Sequence, residues 1–76
     1  MVYLKSKVSF YGYNQNDSLN KKIGQSTFWI YLGVENGKHK LQRIFKYSDR
    51  ISYAFVSKNQ IKNNFKVVDE NQIDKG

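Results

Sequence analysis

Thr27-Phe28-Trp29-Ile30-Tyr31-Leu32-Gly33-Val34 is an unbroken run of aromatic and branched residues, and Glu35-Asn36-Gly37-Lys38 follows it at once. Such side chains fit a pleated, half-buried surface. Asn-Gly between two β-type runs is the strongest short hairpin signal, because a tight hairpin turn needs positive φ at both central residues. The pattern predicts a strand over 27–34 and a return strand from about His39 to Tyr47. Alternation then puts Phe28, Ile30, Leu32 and Val34 toward the core and Trp29 and Tyr31 outward. On the return strand Leu41, Phe45 and Tyr47 face the core, with Lys38, Lys40, Gln42 and Lys46 on the opposite face.

On the N-terminal side, residues 2–13 alternate. Val2, Leu4, Val8 and Phe10 point one way, while Tyr3, Lys5, Lys7, Tyr11 and Tyr13 point the other, which reads as one half-buried strand. Residues 14–26 are polar and rich in turn formers, and read as a long loop folded over a sheet edge. On the C-terminal side, Ser48-Asp49 makes a turn, and Ile51, Tyr53 and Phe55 form the inward side of a fourth strand. Ser57 and Gln60 have the spacing of a capping box, so residues 58–64 hold a short helical or 3-10 turn with Ile61 inward. Phe65, Val67 and Val68 make a brief fifth strand. Residues 1–70 are thus one domain, and 71–76 are expected to be a frayed polar tail.

Five short strands, a long first loop, two tight hairpins and a helical turn before the last strand predict an all-β fold, a small five-stranded barrel. The segment Tyr53-Ala54-Phe55-Val56-Ser57-Lys58-Asn59-Gln60-Ile61 resembles the strand, 3-10 turn and strand that close an SH3-like barrel, although the proline usual at that turn in signalling SH3 domains is missing. An OB-like barrel is the alternative, but its helix lies between the third and fourth strands, where only Tyr47 to Arg50 is available here. The peptide chemistry of signalling SH3 domains does not carry over. Their long loop is acidic, whereas this one holds Lys21 and Lys22 against Asp17.

The chain has 76 residues, with 13 Lys+Arg against 6 Asp+Glu and a formal charge of +7. This excess attracts polyanions. Arg43 and Arg50 are the only arginines, so bidentate reading of guanine edges in duplex DNA is disfavoured, and lysine suits diffuse phosphate contact. A Lys- and Asn-rich composition also follows from an AT-rich coding genome, so the placement of the lysines has to decide. With no Cys there is neither a disulfide scaffold nor a thiolate metal site. No apolar run approaches a membrane span, and Met1–Lys5 lacks the long apolar core of a signal peptide. The expected setting is the cytoplasm.

Catalytic chemistry finds little support. His39, the single histidine, is expected to be an exposed residue beside the Asn-Gly turn. Asp69 and Glu70 are adjacent on an extended segment and diverge. The five glycines form no phosphate-cradling motif. The expectation is a protein that is not an enzyme and carries no cofactor and no metal.

The informative constellation is Tyr3, Lys5, Lys7, Tyr11 and Tyr13 on the outward side of the first strand. Trp29 and Tyr31 join it if the second strand pairs alongside, and Lys38, Lys40 and Lys46 come from the third. Lys21 and Lys22 rim the surface from the long loop. Rings interleaved with ammonium groups suit a phosphate backbone with splayed bases. The leading expectation is therefore a small accessory protein that binds nucleic acid, single-stranded or structured, with low sequence specificity. The alternative is a protein-interaction module of the kind found in phages and mobile elements, which binds and inhibits or redirects a larger host or defence protein. Tyr and Trp also dominate protein interfaces. A homodimer joined through an unpaired edge of the Phe28–Val34 strand is a further possibility.

Overall fold

A computed structural model describes residues 1–73. The fold is mostly β. Strands β1 (Tyr3–Ser6), β2 (Phe10–Gly12), β3 (Lys21–Ile23), β4 (Phe28–Glu35), β5 (Lys38–Arg43), β6 (Tyr53–Val56) and β7 (Phe65–Val68) are joined by one helix, α1 (Lys58–Asn64), between β6 and β7. Five strands form an antiparallel sheet in the order β6-β5-β4-β1-β7, and β2-β3 is a separate hairpin. At the hairpin's end, Tyr13 exchanges backbone hydrogen bonds with Phe55 of β6 at 2.7 and 2.9 Å.

Residues 2–13 do not form one strand. Pairing with β4 and β7 ends at Ser6, and the chain resumes at Phe10 in the second sheet. Ser6 lies at the bend and is almost fully buried. Its hydroxyl donates to the Gly24 carbonyl at 2.6 Å, lies 3.0 Å from Thr27 Oγ1 and accepts from the Thr27 amide at 2.9 Å. Thr27 Oγ1 in turn accepts from Trp29 Nε1 at 2.8 Å. This network ties the end of β3 to β1 and β4 and leaves no buried side-chain polar atom without a partner among the described residues.

The facing of β4 is the reverse of the expected one. Trp29 is 2% exposed, in the core with Leu4, Ile23, Leu41, Ala54, Val56 and Phe65, and Tyr31 packs against that cluster. Phe28 and Ile30 lie on the other, half-buried face, and Leu32 and Val34 are exposed. Both faces of this strand are apolar, so alternation alone leaves the facing open. Register decides it: Leu4 stands directly opposite Trp29, and the Thr27 hydroxyl gives the indole N–H its partner inside the core. A bulge between Tyr31 and Gly33, with Gly33 at φ 99°, shifts the pattern again.

The Asn-Gly turn forms as expected, with Asn36 at φ 53° and Gly37 at φ 78°. The return strand ends at Arg43, so Phe45 is only half-buried and Tyr47 is exposed. On β6, Ala54 and Val56 are fully buried and Phe55 is nearly so, as expected for Phe55, whereas Ile51 and Tyr53 of the expected inward set are exposed. Helix α1 carries the capping box of Ser57 and Gln60, and Ile61 packs against the core. Strand β4 is flanked by β1 and β5, so the expected dimer edge along Phe28–Val34 is taken over Phe28–Ile30. Within the tail, Glu70–Gln72 forms a 3-10 turn and Ile73 is buried. Residues 74–76 of the expected frayed segment lie outside the described residues.

Candidate functional site

Residues directly opposite one another in a sheet share a face, so the register shows what stands beside the expected site residues. Tyr3 and Lys5 lie on the face away from Trp29, together with Ile30 and Phe28, their partners on β4. Lys5 Nζ is 5.3 Å from the Phe28 ring centroid. The aromatic and lysine face of β1 therefore exists, but Phe28 and Ile30 complete it, and the buried Trp29 gives no stacking platform. Tyr31 is turned to the inner face, where its hydroxyl lies 2.7 Å from His39 Nδ1. His39 is half-buried, not exposed.

The other expected residues fall into separate groups. Lys7 is exposed in the bend after β1, and its amide donates to the Asn64 carbonyl. Tyr11 is exposed on β2 opposite Lys22. Tyr13 lies beneath Lys38, whose Nζ is 4.5 Å from the ring and pairs with Asp17. Lys40 sits 4.5 Å from the Tyr53 ring and pairs with Glu35 at 3.7 Å. Lys46 lies over Tyr47 at 5.4 Å. At the end of the molecule that holds Lys38 and Lys40, carboxylates thus offset the positive charge.

A different cleft concentrates cations with no carboxylate on its border. It has a volume of about 320 Å³ and is lined by Lys21, Lys22, Gly24, Thr27, Trp29, Arg43, Phe45, Arg50 and Ser52. The β2–β3 hairpin brings the two lysines, the end of β5 brings Arg43, and the loop to β6 brings Phe45 and Arg50. The guanidinium carbons of Arg43 and Arg50 lie 5.4 and 5.2 Å from the Phe45 ring centroid. Arg43 also donates to the Ile44 carbonyl at 3.0 Å, and burial pushes its pKa below the ordinary arginine value. Lys21 Nζ donates to Ser52 Oγ at 2.6 Å. Two of the four cations are therefore anchored, while Lys22 and Arg50 are exposed.

The sequence reading gave Lys21 and Lys22 but missed Arg43, Phe45 and Arg50. Arginine scarcity counted there against specific readout, yet both arginines converge on this one cleft. The available signal was their placement within eight positions, bracketing an aromatic loop. Beside the cleft, and sharing Phe45 with it, a groove of about 230 Å³ runs onto the open sheet face between Tyr3, Ile30, Ile44 and Ile73. Among the described residues no three His, Cys, Asp or Glu side chains gather as metal ligands. No helix there is long and apolar enough to cross a membrane.

No family model, curated protein or solved structure matches this chain.

Proposed function

We propose that this chain is a small non-enzymatic accessory protein that binds nucleic acid with low sequence specificity, holding phosphates in the cleft of Lys21, Lys22, Arg43 and Arg50. The observation that carries this reading is the convergence of four cations around Phe45 on a border without a carboxylate. Such a concave patch of one sign focuses the field of a +7 chain on one place. Arg43 is pre-ordered by its carbonyl contacts, which lowers the entropy lost on binding an anion. Helix α1 has only seven residues, so contact with phosphate and single bases is favoured over a recognition helix.

The scaffold we assign is an SH3-like barrel. Its support is the strand order β6-β5-β4-β1-β7, the helix between the last two strands, and the Tyr13–Phe55 bridge that links the bent first strand to β6. A protein-interaction module of the phage or mobile-element kind is the second reading. Its support is the set of exposed apolar side chains Leu32, Val34 and Val67.

Titration of a labelled oligonucleotide at two salt concentrations tests the first reading. Affinity that falls steeply with salt is expected. Absence of binding at low salt, or binding indifferent to salt, rejects it.

A further inference from the structure

Resting on the nucleic-acid reading, we infer that the ligand is a single strand whose phosphates lie in the cleft and whose adjacent base enters the groove on the open sheet face. The groove is bordered by Tyr3 from β1, Ile30 from the central strand β4, Ile44 and Phe45 from the loop after β5, and Ile73 beyond the 3-10 turn. Phe45 borders both the groove and the cleft, and the track between them passes around it, since Trp29 and Arg43 of the cleft lie on the opposite face of the sheet from Tyr3 and Ile30 of the groove.

The charges along the track sort the parts of a nucleotide. The cleft is all cationic, whereas the groove carries Lys46 and Glu70 on its border and is otherwise apolar or aromatic. A phosphate is favoured at the first, and an uncharged flat ring at the second. At about 230 Å³ the groove lies below the ~300–1,000 Å³ of pockets that enclose a whole drug-sized ligand, which suits one base. On the same face, Phe28 lies under Lys5 and places a further ring and cation beside Ile30 and Tyr3. A duplex keeps its bases stacked inside, so with its phosphates in the cleft it leaves the groove empty unless a base is extruded.

The test uses end-labelled oligothymidylate of about ten nucleotides, within the span of one small barrel, alongside its duplex and an abasic sugar-phosphate oligomer of equal length. Binding is followed by anisotropy at low salt. One stacked base predicts about tenfold tighter binding of oligothymidylate than of the abasic oligomer. Tyr3→Leu, which keeps an apolar side chain but removes the ring, shrinks that difference and leaves abasic affinity unchanged. Ile44→Ser, outside the strands, repeats the measurement if Tyr3→Leu does not fold. Equal binding of oligothymidylate and abasic oligomer, or duplex binding as tight as single-strand binding, overturns the base subsite while leaving the phosphate cleft standing. No binding of any of the three overturns both readings and leaves the two surfaces to a protein partner.

Discussion

Replacing Lys22 and Arg50 together by glutamine removes the two exposed cations of the cleft and leaves Lys21 and Arg43 on their anchors. Each phosphate neutralised on a single strand contributes about 0.7 to the slope of log K against log salt, so four cations predict a slope of about −2.8 and two predict about −1.4. Between 50 and 200 mM salt the parent should then lose about 50-fold in affinity and the variant only about 7-fold. The assay is anisotropy of a labelled single strand across that range. Lys58→Gln with Lys62→Gln, both on exposed positions of α1, is the control, since it removes the same number of charges from the +7 total at residues that do not line the cleft. Exposed substitutions of this kind change stability by about 0.5 kcal/mol or less, so both variants should melt like the parent. An equal fall in slope for the two pairs would mean that binding is spread over the whole charged surface. An unchanged slope in the Lys22 and Arg50 variant would remove the cleft from the interface.

Trp29→Ala should unfold or severely destabilise the protein, by about 3–5 kcal/mol, because the ring is 2% exposed and opposes Leu4; thermal melting by circular dichroism checks it, and a folded variant with weakened binding would return the ring to the surface. Ser6→Ala should cost about 1–3 kcal/mol by leaving the Thr27 amide without its buried partner, the Gly24 carbonyl keeping the Thr27 hydroxyl, read as a lower denaturant midpoint with an unchanged m-value. Gly12→Ala places a Cβ 3.0 Å from the Phe55 carbonyl oxygen and 3.0 Å from Ile23 Cδ1, so a loss of about 1–3 kcal/mol is expected in the same denaturation. Ser57→Ala removes the N-cap of α1 and should lower stability by about 1 kcal/mol, with less loss if glycine is used instead.

Local chemistry was legible in the chain. The Asn36-Gly37 turn, the capping box at Ser57 and Gln60, the helix over 58–64 and the last strand all form where the residues place them. Each depends on interactions a few residues apart: a turn that needs positive φ, or a side chain that caps its own helix. The alternation in β1 also set the facing of Leu4, Tyr3 and Lys5, because Leu4 is apolar while its neighbours Tyr3 and Lys5 carry polar ends.

Facing in β4 was not legible, since Phe28 and Ile30 are as apolar as Trp29 and Tyr31, and a strand with two apolar sides fits either way up. Only the pairing of Trp29 with Leu4, and the hydroxyl that Thr27 offers its indole, fix which side is buried. The cationic cleft was not legible for a related reason. Lys21 is separated in sequence from Arg43 and Arg50 by the β4–β5 hairpin, and the three meet only because β3 and the β5–β6 loop border the same cleft. By itself the sequence determined the central Asn-Gly hairpin, the capped helix, the last strand and the surplus of positive charge, but not the break after Ser6 or the short strand Lys21–Ile23 inside the expected loop. Tertiary structure decided which cations converge and which rings remain exposed, because convergence depends on strand register and loop path, and these are set by contacts between residues far apart in the chain.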